Sequence, residues 1–381
     1  MLTPNRCRQR GQPLDSEDAA AFSAQSIAAV VKTMRLHPAY HPTPLHPLPS
    51  LARELGVSSV NVKDEAGRFG LGSFKALGGA WAVVQLALAE AEHRLGRKVS
   101  PHELFDPEVR ASIRSLHVGC ATDGNHGKSV AAGANLLGLD ATIFVHQGVT
   151  RSRSAAIARY GAHVVTVPGT YDDAVATADR ECRANGWTVV SDTAQPGHET
   201  VPRLVMKGYA VIVDELRQQL IHEPTHVFLQ AGVGGFAAAI AAAMTVSDAF
   251  GETRFIIVEP TLAASLHASN NRDRLTIVEA ADPTVMSMLE CYTPSSLAWE
   301  ILSRLASAFM TVDEAEALSA VTMLGLQGRR HGIEIGSSPS GAAGMAGMLR
   351  VMLEPLARED LQIGTDSRLL VFNTEGPAPS A

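Results

Sequence analysis

Residues 118–146 read Val118-Gly119-Cys120-Ala121-Thr122, then Asp123-Gly124-Asn125-His126-Gly127, then an Ala-rich stretch from Ser129 to Leu137, then Ala141-Thr142-Ile143-Phe144-Val145-His146. Short apolar runs without polar alternation are strands buried on both faces, and helix-length segments between them imply a parallel sheet covered on each side. The pattern extends both ways. Upstream, a strand at Val57–Lys63 leads through a glycine-rich loop into a helix from Phe74 to Leu95, closed by Gly96; a further helix is read at Ser152–Tyr160, and strands at His163–Val167 and Thr188–Ser191. A second series places strands at Val227–Ala231, Phe255–Glu259 and Leu369–Asn373, with helical stretches over 201–220 and 312–331.

The expected fold class is therefore α/β, with two open, mostly parallel sheets flanked by helices. A smaller α/β domain at 84–198 is expected as an insertion into a larger one formed by 1–83 and 199–381. Pro38, Pro42, Pro44, Pro47 and Pro49 forbid a regular element across 38–50, leaving Ala19–Met34 as the one helix of an N-terminal arm. Ligands of such sheets sit beyond the carboxyl ends of strands, so the loops after Thr122, Ser191, Ala231 and Asn373 are the places to look.

Composition narrows the function. The 381 residues suit two or three folding units. Lys plus Arg number 32 against 39 for Asp plus Glu, a net charge of −7, so no long-range field draws in nucleic acid or anionic lipid. The longest apolar run, Phe236–Met244, is far short of the ~20 residues that cross a bilayer, and no membrane partner is expected. Asp15, Glu17 and Asp18 stand where a secretion signal would be apolar. Cys7, Cys120, Cys182 and Cys291 are widely separated, which fits free thiols in a reduced, cytoplasmic setting. The 14 histidines form no metal-binding spacing, and no metal is expected.

Four loops could carry chemistry. In Gly70-Leu71-Gly72-Ser73-Phe74-Lys75-Ala76-Leu77-Gly78-Gly79, Ser73 reads as a helix N-cap. Lys75 then falls in the first turn, where the helix dipole disfavours an ammonium; a neutral lysine there is a nucleophile able to form a Schiff base with an aldehyde. The plain alternative is a surface lysine in a flexible loop. In Ala121-Thr122-Asp123-Gly124-Asn125-His126-Gly127, Asn125 could hold a ligand oxygen and Asp123 could stand near a reacting carbon, against an ordinary turn. Gln230-Ala231-Gly232-Val233-Gly234-Gly235-Phe236-Ala237 opens a helix and offers backbone amides to a phosphate. It also matches G-x-G-x-x-A with Glu259 ending the next strand, so a nicotinamide dinucleotide site is a rival, and glycines used only for packing are the bland reading. Thr374, beyond the last strand, could meet a ring nitrogen without protonating it. Asp192, in Ser191-Asp192-Thr193-Ala194, is similarly placed.

Taken together, the segments Gly72–Gly79, Ala121–Gly127 and Gln230–Gly234 resemble the fold type II pyridoxal-phosphate enzymes. The likeness continues through Asp192-Thr193-Ala194, Lys207-Gly208-Tyr209-Ala210, Ile257-Val258-Glu259-Pro260, Trp299-Glu300-Ile301-Leu302, Ser340-Gly341-Ala342 and Thr374-Glu375-Gly376, covering most of 40–376. Threonine and serine dehydratases usually carry Ser-Gly-Asn-His-Gly, so Asp123 points to the diaminopropionate ammonia-lyase branch. The resemblance implies pyridoxal 5'-phosphate as cofactor, bound by Lys75, Phe74, Asn125, Gly232, Val233, Gly234, Gly235 and Thr374. Lys75 is then the Schiff-base lysine and the base for the L-substrate, Asp123 the base for the D-isomer, and Asp192 a holder of the substrate's amines. The implied reaction is α,β-elimination of 2,3-diaminopropionate to pyruvate and ammonia, by a homodimer. Gln195, Pro196-Gly197-His198-Glu199, the segment Met286–Pro294 and Pro339 depart from the family pattern. They keep open β-elimination or β-replacement on serine, threonine, hydroxyaspartate or a specialised amino acid, beside a non-catalytic cofactor or amino-acid sensor.

Overall fold

The computed structural model describes residues 1–247, 249–280 and 282–377. Its strands are β1 (Leu2–Pro4), β2 (Leu45–Pro47), β3 (Ser59–Asp64), β4 (His117–Ala121), β5 (Asp140–His146), β6 (His163–Val167), β7 (Thr188–Val189), β8 (His226–Gln230), β9 (Arg254–Pro260), β10 (Ala306–Val312) and β11 (Arg368–Asn373). The chain divides into two compact units. Among the described residues the first comprises Met1–Ala28, Pro42–Gly67 and 210–377; the second comprises Ala29–His41 and Arg68–Tyr209.

In the first unit seven strands form one sheet in the order β1-β10-β9-β8-β11-β3-β2. The five inner strands run parallel, and the edge strands β1 and β2 pair antiparallel with β10 and β3. Central β8 is buried along its whole length. Phe228, Ile256, Val258, Met310 and Val371 share a core with Ala343, Ala346 and Val351 of the helix Ala343–Leu353. The helix Gly235–Val246 is buried from Gly235 through Met244, as a helix apolar on every side must be.

The second unit holds four parallel strands in the order β6-β5-β4-β7. Its helix Lys75–Leu95 is gripped by glycine contacts on two sides. A Cβ at Gly133 would lie 2.8 Å from Ala80 Cα, so this helix and Asn125–Leu137 approach backbone to backbone, and Ser129 Oγ accepts from Ala80 N at 2.9 Å. A Cβ at Gly78 would lie 2.4 Å from the Tyr209 ring, which packs the other side with the helix Thr200–Tyr209. Lys75 therefore starts from a fixed helix end.

Several elements differ from the sequence reading. The prolines of 38–50 do not exclude regular structure: Pro47 ends the edge strand β2, and Pro49 opens the helix Pro49–Leu55, two places where a missing N–H costs nothing. Strands β1 and β10 were not foreseen; β10 follows the helix Ser296–Leu305 with no glycine or proline to mark the change. The helix expected over Ala19–Met34 is two, Ser16–Ala21 and Ala24–Met34, because the Phe22 N–H closes the first on Asp18 and Ala20 carbonyls. The compact units also run differently from the division at 83/84 and 198/199. The former point falls inside the helix Lys75–Leu95, which stays whole with the second unit, as does Thr200–Tyr209.

Candidate active site

Lys75 is the first residue of its helix, one position after Phe74, which takes the N-cap place with helical φ and ψ and no side-chain cap. Ser73 is not the cap: its hydroxyl is buried without a hydrogen-bond partner. The Lys75 ammonium meets a countercharge that the sequence reading did not foresee, pairing directly with Asp192 Oδ2. Burial works to raise the Asp192 carboxyl, but the Lys75 ammonium, with His126, holds it well below the usual carboxylate range. His126 Nε2 lies 2.7 Å from the Val190 carbonyl, which can only accept, so Nε2 carries the ring proton. That leaves Nδ1 bare, 3.9 Å from Asp192 Oδ2, and burial keeps the imidazole pKa low despite the carboxylate. The Phe74 ring stands edge-on to Tyr209 at 4.8 Å, with Lys75 Nζ 5.7 Å from the Phe74 centroid. Burial raises the Tyr209 phenol, which remains protonated.

Strand order explains this grouping. Because β5, β4 and β7 are neighbours, their carboxyl ends set His146, the Asp123–His126 loop and Asp192 along one edge. Asn125 opens the helix Asn125–Leu137, and Thr122 Oγ1 fixes the loop before it by accepting from the N–H groups of Gly124 and Gly127, each at 3.0 Å. Asp123, half-buried in that loop, has Oδ1 3.1 Å from His146 Nε2. Sequence reasoning gave no role to His146, which lies in no recognisable pattern, or to Tyr209, although the latter falls in the family-like segment Lys207–Ala210.

In the first unit, Gly232–Gly235 joins β8 to the helix Gly235–Val246, whose first N–H groups have no partner within the helix. Gly234 has φ +95°, and a Cβ there would lie 3.0 Å from Leu266 Cδ1 and 3.1 Å from Ala298 Cβ. A Cβ at Gly232 would lie 3.0 Å from Cys291 Sγ and 3.2 Å from Leu289 Cα. The loop is thus a cradle of backbone alone, the form that suits a phosphate. The departing segment Met286–Pro294 supplies Leu289 and Cys291 as its outer wall, and Ser295 N donates to Val233 O at 3.0 Å.

The same strand-end logic places Gln230, last residue of β8, beside Thr374, which follows β11. Gln230 Nε2 donates to Thr374 Oγ1 at 3.0 Å and to Gly341 O at 2.7 Å. With one lone pair so engaged, the Thr374 hydroxyl still has its proton to donate, which suits an unprotonated ring nitrogen. The residues present therefore fit pyridoxal phosphate. They do not fit the dinucleotide reading: Glu259 is fully buried and accepts from Leu266 N at 2.8 Å and His267 N at 2.6 Å. Burial pushes this carboxyl up to about 8, and it caps a helix instead of awaiting a ribose. Among the described residues no cluster of side chains could hold a metal ion, and no helix is long and apolar enough to cross a membrane.

Residues 36–374 match the family described as pyridoxal-phosphate dependent enzyme. Diaminopropionate ammonia-lyase of Escherichia coli strain K12 is 36% identical over 345 residues, 88% of this chain and 85% of that protein. The protein of the same name from Salmonella typhimurium strain LT2 is 33% identical over 349 residues, covering 89% and 86%. The crystal structure of the E. coli diaminopropionate ammonia lyase in complex with D-serine superposes with a TM-score of 0.86 at 32% identity, over 99% of this chain and 93% of that one.

Proposed function

The chain belongs to the pyridoxal-phosphate-dependent enzyme family, and on that footing we propose that it catalyses α,β-elimination of 2,3-diaminopropionate, releasing pyruvate and ammonia. The observation that carries the reading is the Lys75–Asp192 pair at the head of a clamped helix: a cofactor lysine already opposed by a carboxylate suited to a substrate amine.

Pyridoxal phosphate, when bound, supplies the electron sink that makes the substrate's Cα–H acidic. Gly232, Val233, Gly234 and Gly235 would hold its phosphate through backbone N–H groups, Asn125 its ring hydroxyl and Thr374 its ring nitrogen, while Lys75 Nζ would anchor it beside Phe74. Substrate binding frees Lys75 Nζ to take the Cα proton of the L-isomer. Asp123 would take that of the D-isomer from the other face. Asp192, ionised throughout the neutral range, then exchanges the Lys75 ammonium for an amine of the diamino acid. His126, neutral and fixed on Val190, makes no hydrogen bond to that carboxylate and leaves it to the amine.

We also read the enzyme as a cytoplasmic homodimer. Free cysteines at 7, 120, 182 and 291 support the compartment, and the family resemblance supports the dimer. The deciding experiment incubates purified, cofactor-loaded protein with L- and D-2,3-diaminopropionate and measures pyruvate and ammonia. One equivalent of pyruvate and two of ammonia are expected per diaminopropionate consumed. Cofactor loading without product would favour a sensor, and turnover of serine, threonine or hydroxyaspartate alone would move the substrate elsewhere.

A further inference from the structure

His146 ends β5 and belongs to none of the family-like segments, yet its imidazole faces the loop that carries Asp123. Nε2 stands 3.1 Å from Asp123 Oδ1, with the two side chains 26% and 28% exposed. The other side of the ring is fixed by the backbone: Gly148 N–H donates to Nδ1 at 3.1 Å. Since Nδ1 accepts, the neutral ring carries its proton on Nε2, on the side of Asp123. Residue 148 has to be glycine for this, because a Cβ there would lie 2.7 Å from the imidazole Cε1 and 3.0 Å from Nδ1. Asp123 Oδ1 is buried and not yet aligned for a hydrogen bond. Contacts of this kind commonly close only when substrate arrives.

We propose that His146 is the positioning residue of Asp123: its neutral Nε2–H holds Oδ1 and turns Oδ2 toward the Cα proton of the D-isomer. The proposal rests on the reading of Asp123 as the D-side base. A donor on one carboxylate oxygen fixes the plane of the group and so the direction of the other oxygen. Lys75, partnered by Asp192, is independent of this contact, so loss of His146 should split the two enantiomers. A second basic side chain, Arg153, runs past Gly124 in the same loop and serves as the control.

The test uses cofactor-loaded His146→Leu, His146→Gln, Gly148→Ala, Arg153→Gln and Asp123→Asn proteins. The kcat and KM for both isomers are measured, with exchange of the Cα hydrogen in deuterated water. His146→Leu and Gly148→Ala should lower kcat for the D-isomer tenfold or more, leaving its KM and the L-isomer rate within twofold. His146→Gln, which keeps an N–H donor, should recover most of the rate, and Arg153→Gln should not reproduce the split. Nitrogen-15 NMR of histidine in the full chain should show Nε2 protonated and Nδ1 bare, with a signal that moves in Asp123→Asn. Equal loss on both isomers, an unchanged D-isomer rate, or an Nδ1–H tautomer would overturn the proposal. If Asp123→Asn abolishes D-isomer turnover while His146→Leu does not, only the role of His146 falls; if Asp123→Asn leaves it intact, or the wild type uses the L-isomer alone, the reading of Asp123 falls with it.

Discussion

Replacing Gly234 by Ala should damage both stability and cofactor binding. At φ +95° an L-residue is strained by about 1–2 kcal/mol. The new Cβ would also press on Leu266 Cδ1 at 3.0 Å and Ala298 Cβ at 3.1 Å, and overpacking of this kind costs about 1–3 kcal/mol. The sum, about 2–5 kcal/mol, corresponds to a fall in Tm of roughly 4–20 °C for a unit of this size. If the loop also turns one N–H away from the phosphate, the loss of a charge-assisted hydrogen bond, about 1.5–3 kcal/mol, weakens cofactor affinity by roughly 10- to 100-fold. Gly96→Ala is the matched control: Gly96 has φ +65°, but nothing lies within 4 Å of its Cβ position, so it should lose a little stability and no affinity. The assay is fluorescence titration of the apoprotein with pyridoxal phosphate, run beside thermal unfolding of both variants. A Gly234→Ala protein that binds the cofactor within twofold of wild type would refute the assignment of this loop to the phosphate, whatever its Tm.

Lys75→Ala should remove the visible absorbance of lysine-bound cofactor and lower kcat by at least about a thousandfold, since both anchor and L-side base disappear; retention of that absorbance would defeat the role. Asp192→Asn should raise KM for both enantiomers while the cofactor spectrum survives, as steady-state kinetics and absorbance would show. Because the folded-state pKa of Asp192 is depressed, its stabilisation is present above the unfolded value, about 3.9, and is lost as pH falls toward the folded value. Urea midpoints of wild type and Asp192→Asn should therefore stay apart down to about pH 4 and draw together only as the pH falls below that, toward the folded value. Thr374→Val should leave the protein folded, with the Gln230 amide still held by the Gly341 and Phe372 carbonyls, but should remove the hydroxyl donor, shifting the cofactor absorbance and lowering its affinity several-fold in spectrophotometric titration.

The sequence by itself determined the βα alternation, the two parallel sheets and the loops that bear chemistry, because periodicity, glycine and helix-start signals are local. It also led to Lys75, Asp123, Asn125, Asp192, the Gly232–Gly235 loop and Thr374, each lying directly after a strand or at a helix start. What those residues touch was decided only by tertiary structure. Lys75 finds Asp192 117 residues away, and Gln230 finds Thr374 across 144. Adjacency of β5, β4 and β7, and of β8 and β11, brings those strand ends together, and no local pattern encodes strand order. The same cause hid β10 and the two proline-bearing elements, which form where a sheet edge or helix start is available. Glu259 shows the reverse: its place at a strand end suggested a ribose, but burial and two backbone N–H donors make it a helix cap. Desolvation and hydrogen bonding depend on what packs around a side chain, and that is settled only when distant segments meet.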